Sequence, residues 1–198
     1  MTARLVVLAS GSGTNCEAVM AACAEGVLAA DVVAVVTNNP EAGVIGRARR
    51  FGVPATVVEH RGRDPEARQR DDARLIEALE ALRPDLVVLA GWMRILSAEV
   101  GARFPIINLH PALPGEFPGV RAIERAFEAW KAGEIDRSGV MVHRVPDEGV
   151  DVGPVVMTEA VPFLAGDTLD TFAERIHATE HRLLVDAIRV VLSRPPSD

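Results

Sequence analysis

Residues 85–96 read DLVVLAGWMRIL. The run Leu86, Val87, Val88, Leu89, Ala90 is apolar without alternation, as a parallel strand covered by helices on both faces should be. Gly91 ends it. Met93, Arg94, Ile95 and Leu96 then form an apolar loop with one cation at the strand's carboxyl end, where open α/β sheets bind ligands. Arg94 is either an ion-paired surface residue or part of a ligand rim, and its apolar neighbours suit a flat heterocycle.

The same pattern repeats outward. Upstream, residues 4–9 (RLVVLA), 31–37 (DVVAVVT) and 55–58 read as strands, with helical patterns over 16–24, 42–51 and 71–82. Downstream come strands over 106–110, 138–145 and 155–161, and a helix over 120–131. A long helix over 168–192, with Asp167 as its expected cap, places Leu169, Phe172, Ile176, Leu183, Ala187 and Val190 at helical spacing. Strands alternating with helices predict an α/β fold, a single-domain doubly wound and mostly parallel sheet of about seven strands. It should span residues 1–192, with a disordered tail over 193–198.

Composition narrows the function. The chain has 198 residues, 48% of them apolar, enough for a full core. A net charge of −7 and a pI near 5.3 argue against a nucleic-acid partner. No apolar run approaches the ~20 residues that span a bilayer. Cys16 and Cys23 lie about two helical turns apart, too far for a disulfide, and read as buried thiols of a cytoplasmic protein. Small-molecule substrates are expected, and monomer and homodimer stay equally open.

Three segments carry chemistry. Residues 10–15 (SGSGTN) place a glycine turn between a strand and a helix start, a cradle for a phosphate. Cys16 occupies the small-residue position of the dinucleotide fingerprint, so a phosphate monoester fits better, with a ligand-free tight turn as the alternative. Residues 106–119 (IINLHPALPGEFPG) put Asn108 and His110 on one strand face, before a loop stiffened by Pro111, Pro114 and Pro118. Finally, His177, Glu180 and His181 match a zinc-peptidase pattern. Few acids follow to complete a metal site, so a solvated helix face, or Glu180 reaching a substrate, is the expected reading.

Taken together, SGSGTN at 10–15, LAGWMRIL at 89–96, NLHP at 108–111, GVDVGPV at 149–155 and TEH at 179–181 resemble the phosphoribosylglycinamide formyltransferases of purine synthesis. The resemblance implies a formyltransferase-like Rossmann variant. Its activity would be transfer of the formyl group of 10-formyltetrahydrofolate to the amine of 5-phosphoribosylglycinamide, without a metal. It implies that Gly13, Thr14 and Asn15 hold the substrate phosphate and that Glu180 touches the same substrate. Met93, Arg94, Ile95 and Leu96, with Asn108 and Asp147, would line the folate site, and Arg68 would face the folate. Asn108, His110 and Asp151 match the catalytic trio. Asn108 and a protonated His110 would donate to the oxyanion, with Asp151 raising the His110 pKa.

Two departures stand out. Residues 112–116 read ALPGE where the family has serine-leucine-leucine-proline-lysine, and Pro146 looks like an extra residue between His143 and Asp151. Two other readings stay open. One is a 10-formyltetrahydrofolate hydrolase, whose family members carry an additional N-terminal regulatory domain. The other is a phosphosugar-binding module in which Asn108 and His110 are structural.

Overall fold

Each unbroken apolar run folds as a strand whose two faces are both covered. The computed structural model describes residues 2–59 and 64–193. Strands β1 (Ala3–Leu8), β2 (Ala30–Thr37), β3 (Ala55–Val57), β4 (Leu86–Leu89), β5 (Ile106–His110), β6 (Arg137–Arg144) and β7 (Val155–Pro162) form one sheet in the order β3-β2-β1-β4-β5-β6-β7. Only β6 runs against the rest. The helices are α1 (Thr14–Ala24), α2 (Gly43–Arg50), α3 (Pro65–Leu82), α4 (Ala98–Arg103), α5 (Ala122–Lys131) and α6 (Leu169–Ser193).

Alternate strand residues feed two cores. Leu5, Val7, Leu86, Val88, Ile107 and Leu109 pack with Val19, Val44, Ala126 and Ile176, so α1, α2, α5 and α6 cover that face. Val6, Leu8, Val87, Leu89 and Ile106 pack with Leu75, Leu79 and Val100, under α3 and α4. Strand order reverses between β1 and β4. A crevice therefore opens at the carboxyl ends of those strands, where doubly wound sheets hold ligands.

Local differences from the sequence reading have local causes. Helix α3 begins at Pro65 rather than Asp71, because the Asp64 carboxylate accepts the Ala67 N–H at 2.8 Å and caps it there. Helix α4 was not expected; its six residues are too short to show an apolar period. At α6 the cap is Thr168, not Asp167. The Thr171 N–H donates to Thr168 Oγ1 at 3.2 Å and the Thr168 N–H to Thr171 Oγ1 at 3.0 Å. Asp167 instead accepts the Leu164 N–H at 2.7 Å and pairs with Arg175. The expected tail lies outside the described residues beyond Ser193, which ends α6.

The cap can be tested on its own. Thr168→Ala removes the side-chain acceptor and should cost about 1 kcal/mol, a fall of roughly 2–4 °C in a melt of a domain this size. An unchanged melting temperature would show that Asp167 holds the helix start unaided.

Candidate active site

The floor of the crevice follows from strand alternation and register. Ile106, Asn108 and His110 share the β5 face toward α3 and α4, and antiparallel pairing sets His143 of β6 opposite Asn108. After β6 the chain passes beside β5, where the Val145 N–H donates to Ile106 O at 3.0 Å, and then folds back. Gly153 permits the tight return, since a Cβ there would sit 1.8 Å from Arg144 O. Gly101 likewise lets the Pro146 carbonyl lie against α4. The turn delivers Asp151, in a left-handed conformation with φ 56°, to the two β5 side chains. The residue at Pro146 has not carried Asp151 away.

Four polar side chains meet there. Asp151 Oδ2 lies 3.2 Å from His110 Nδ1 and accepts the Gly119 N–H at 2.8 Å. Asp151 Oδ1 accepts from Asn108 Nδ2 at 3.0 Å and lies 3.5 Å from His143 Nε2. His143 Nδ1 faces Arg144 O at 2.9 Å, an acceptor only, so that nitrogen carries the hydrogen and Nε2 accepts from Asn108 Nδ2 at 3.1 Å. Both amide hydrogens of Asn108 are thus engaged. His110 Nε2 faces the Phe117 carbonyl at 3.2 Å.

The titration of His110 runs against the sequence expectation. Burial pushes its pKa down; the Asp151 carboxylate and the Phe117 and Glu116 carbonyls push it back up, and His143 adds to the lowering. Burial wins, and His110 sits below the ordinary histidine value. Both ring nitrogens face acceptors, a frame shaped for the imidazolium, yet the resting ring is neutral at pH 7. Burial raises Asp151, but its contact with His143, the Gly119 N–H and the neighbouring imidazoles outweigh this and hold it below the usual carboxylate range.

These groups line a cleft of about 550 Å³ that also collects Asn15, Glu180, residues 91–96 and residues 147–151. Glu180 is 5% exposed, on the apolar stripe of α6 between Ile176 and Leu183. Its Oε2 meets His177 Nδ1 at 2.7 Å and Asn15 Nδ2 at 3.4 Å. His177 is raised by the Glu180 hydrogen bond, while burial lowers His181. Met93, Ile95 and Val150 expose apolar surface around the cleft. Arg94 lines it too, its guanidinium 3.5 Å from the buried Asp71 carboxylate. Asp147 accepts the Gly149 N–H at 2.8 Å, so it closes the turn as well as lining the cleft. Among the described residues no group of three or more His, Cys, Asp or Glu is set to hold a metal ion.

Three expected residues do not line the cleft itself. Arg68, drawn into the first turns of α3 by the early cap at Asp64, does not line the cleft. Neither do Gly13 and Thr14. Gly13 is buried with φ 79°, and a Cβ there would meet Val44 Cβ at 2.5 Å and its Cα at 2.8 Å. The packing of α2 against the loop therefore demands a glycine here, whatever the loop binds. His143, conversely, belongs to the site and was not singled out. A histidine inside an apolar strand was its signal, but the partner strand and register that aim it at Asn108 were not readable.

A doubly wound sheet whose crevice floor joins an amide, two imidazoles and a carboxylate has the groups an enzyme needs to move a proton with its own side chains. The comparisons give it a family. The family model described as formyl transferase matches residues 3–188. The phosphoribosylglycinamide formyltransferase of Schizosaccharomyces pombe is 44% identical, over 98% of this chain and 99% of its own. That of Bacillus subtilis is 34% identical, over 96% and 94%. Glycinamide ribonucleotide transformylase 1 from Geobacillus kaustophilus, a solved structure, has a TM-score of 0.87 at 37% identity, covering 98% of this chain and 100% of that one. The chain belongs to the formyl transferase family.

Gly13→Val tests the packing role. The clash with Val44 and the left-handed backbone together predict a loss of at least about 2 kcal/mol, read as a lowered midpoint in urea unfolding. Full stability with selective loss of a phosphate ligand would instead restore Gly13 to the binding loop.

Proposed function

We propose that this protein transfers the formyl group of 10-formyltetrahydrofolate to the amine of 5-phosphoribosylglycinamide, a step of purine biosynthesis in the cytoplasm. The observation that carries it is the contact among Asn108, His110, His143 and Asp151 on the floor of a cleft shared with Glu180 and the 93–96 loop. The relatives' names supply the acceptor and the group transferred, and the sequence resemblance implies the folate donor.

The folate ring system packs along Met93, Ile95, Leu96 and Val150, and Arg94 offers its guanidinium to a tail carboxylate. The phosphate meets the unpaired N–H groups at the start of α1, Thr14 and Asn15 among them. Glu180, with Oε2 fixed by His177 and Asn15, keeps Oε1 for a hydroxyl of the acceptor. The amine then attacks the formyl carbon, a C–N bond forms, and charge gathers on the formyl oxygen. Asn108 stabilises it by exchanging one of its two present partners for that oxygen. Both ring nitrogens of neutral His110 face protein acceptors, so a bound water relays the ammonium proton to the ring, and Asp151 and the Phe117 carbonyl hold the imidazolium that results. As the C–N10 bond breaks, the proton returns to N10 of the departing tetrahydrofolate. Chemistry then ends with formylated acceptor and a restored neutral histidine.

Mixing protein, 10-formyltetrahydrofolate and 5-phosphoribosylglycinamide should produce tetrahydrofolate only when the acceptor is present. Turnover without it would make the protein a hydrolase, and none at all a binding module. Within the transferase reading, Asn108→Ala should lower kcat by ~10²–10³; an unchanged kcat would confine Asn108 to a structural role.

A further inference from the structure

The loop that departs from the family pattern ends in a segment, Phe117-Pro118-Gly119, that touches both partners of His110. The Phe117 carbonyl faces His110 Nε2 at 3.2 Å. Two residues on, the Gly119 N–H donates to Asp151 Oδ2, the same oxygen that faces His110 Nδ1. The segment is not relaxed. Phe117 has φ 45°, a left-handed conformation that a bulky side chain adopts only where its surroundings over-determine it.

Arg125, in α5, supplies that determination. Its guanidinium donates to the Phe117 carbonyl at 2.5 Å and to the Pro118 carbonyl at 2.6 Å. It also lies 5.9 Å from the Phe117 ring centre. Its Nε is buried without a partner, and among the described residues the hydrogen bonds of this guanidinium go to the segment. Both bonds come from one nitrogen, Nη2, so the two adjacent carbonyls are held to a single point and the backbone between them is fixed.

We propose that Arg125 is a positioning residue for His110: by pinning the Phe117 carbonyl it holds the acceptor that meets Nε2 when the ring takes its proton. The proposal rests on His110 acting as the proton acceptor of the transfer. A neutral imidazole has one N–H for two facing acceptors, whereas the imidazolium has two. Asp151 serves Nδ1 whatever Arg125 does; the Nε2 side depends on the clamp. The charged and titratable groups about the ring are Asp151 and His143, with Arg125 behind the Phe117 carbonyl.

The test uses the whole chain and two readouts. In Arg125→Met, loss of the nearby cation alone would move the His110 titration up, but release of the Phe117 carbonyl costs the imidazolium a hydrogen bond; with the clamp dominant, the titration followed by NMR on ring-labelled histidine should move down by up to about one pH unit, the value of one lost hydrogen bond. Arg125→Lys, which keeps a charge and enough donors but on a shorter stem, should fall between. In the formyl-transfer assay, kcat of Arg125→Met should drop by about tenfold, as slight misplacement of a catalytic group does, with KM for both substrates within about twofold. The NMR arm needs no substrate, so it decides the clamp even if the transfer reading fails. An unmoved His110 titration in both variants, with only a lower melting temperature, would overturn the proposal. So would a rise in KM with kcat unchanged.

Discussion

One carboxylate holds the centre of this molecule together. Asp151, with a side chain 10% exposed, receives Asn108 from β5, the Gly119 N–H from the loop after it, and the rings of His110 and His143. A charge so far out of water is tolerated only when such partners surround it, and removing them would cost several kcal/mol. The partners come from segments far apart in sequence, so the carboxylate fixes where the 147–153 turn lies on the sheet. That turn in turn walls the cleft. The floor, the loop and the turn are one hydrogen-bonded unit, and the two packed cores beneath it supply rigidity.

The same unit explains the electrostatics. His110 is 4% exposed, and its burial outweighs the attraction of Asp151, so the histidine rests neutral and ready to accept a proton. The surrounding acceptors matter once it is charged. In the proposed transfer they would hold the imidazolium more strongly than the neutral ring, which is the condition for acceleration rather than tighter binding.

Much of this was legible in the sequence because it is local. Unbroken apolar runs announced buried parallel strands, and the alternation Asn108-Leu109-His110 placed two polar groups on one face. Asp151 followed from the family motif. What escaped depends on contacts between distant segments. Gly13 was read as a ligand-approach glycine from its turn alone; that the packing of Val44, thirty-one residues on, also demands a glycine there could not be read. His143 gains its meaning from a β5–β6 register that no period-two pattern encodes. Arg68 moved with a helix start that Asp64 sets earlier than the apolar period shows. The direction of the His110 shift required knowing how deeply it is buried, and the clamp by Arg125 required a helix to return against its own preceding loop.

The central claim is that burial keeps His110 neutral at rest while Asp151 raises its pKa and holds the imidazolium formed when it accepts a proton, and kcat against pH for the native protein and Asp151→Asn tests it most directly. The span should cover about two units either side of the ordinary histidine value of ~6.5. Transfer requires the neutral ring, so kcat falls as pH drops through the His110 pKa. Loss of the carboxylate removes an upward push on that pKa, and the limb belonging to His110 must therefore move to lower pH, while a limb set by the acceptor amine stays in place. The alkaline plateau should also fall, on the order of 10²-fold, as for loss of a group that stabilises transition-state charge. An unshifted profile with a native plateau, accompanied only by a lower melting temperature, would contradict the account and leave Asp151 as the fastener of a turn.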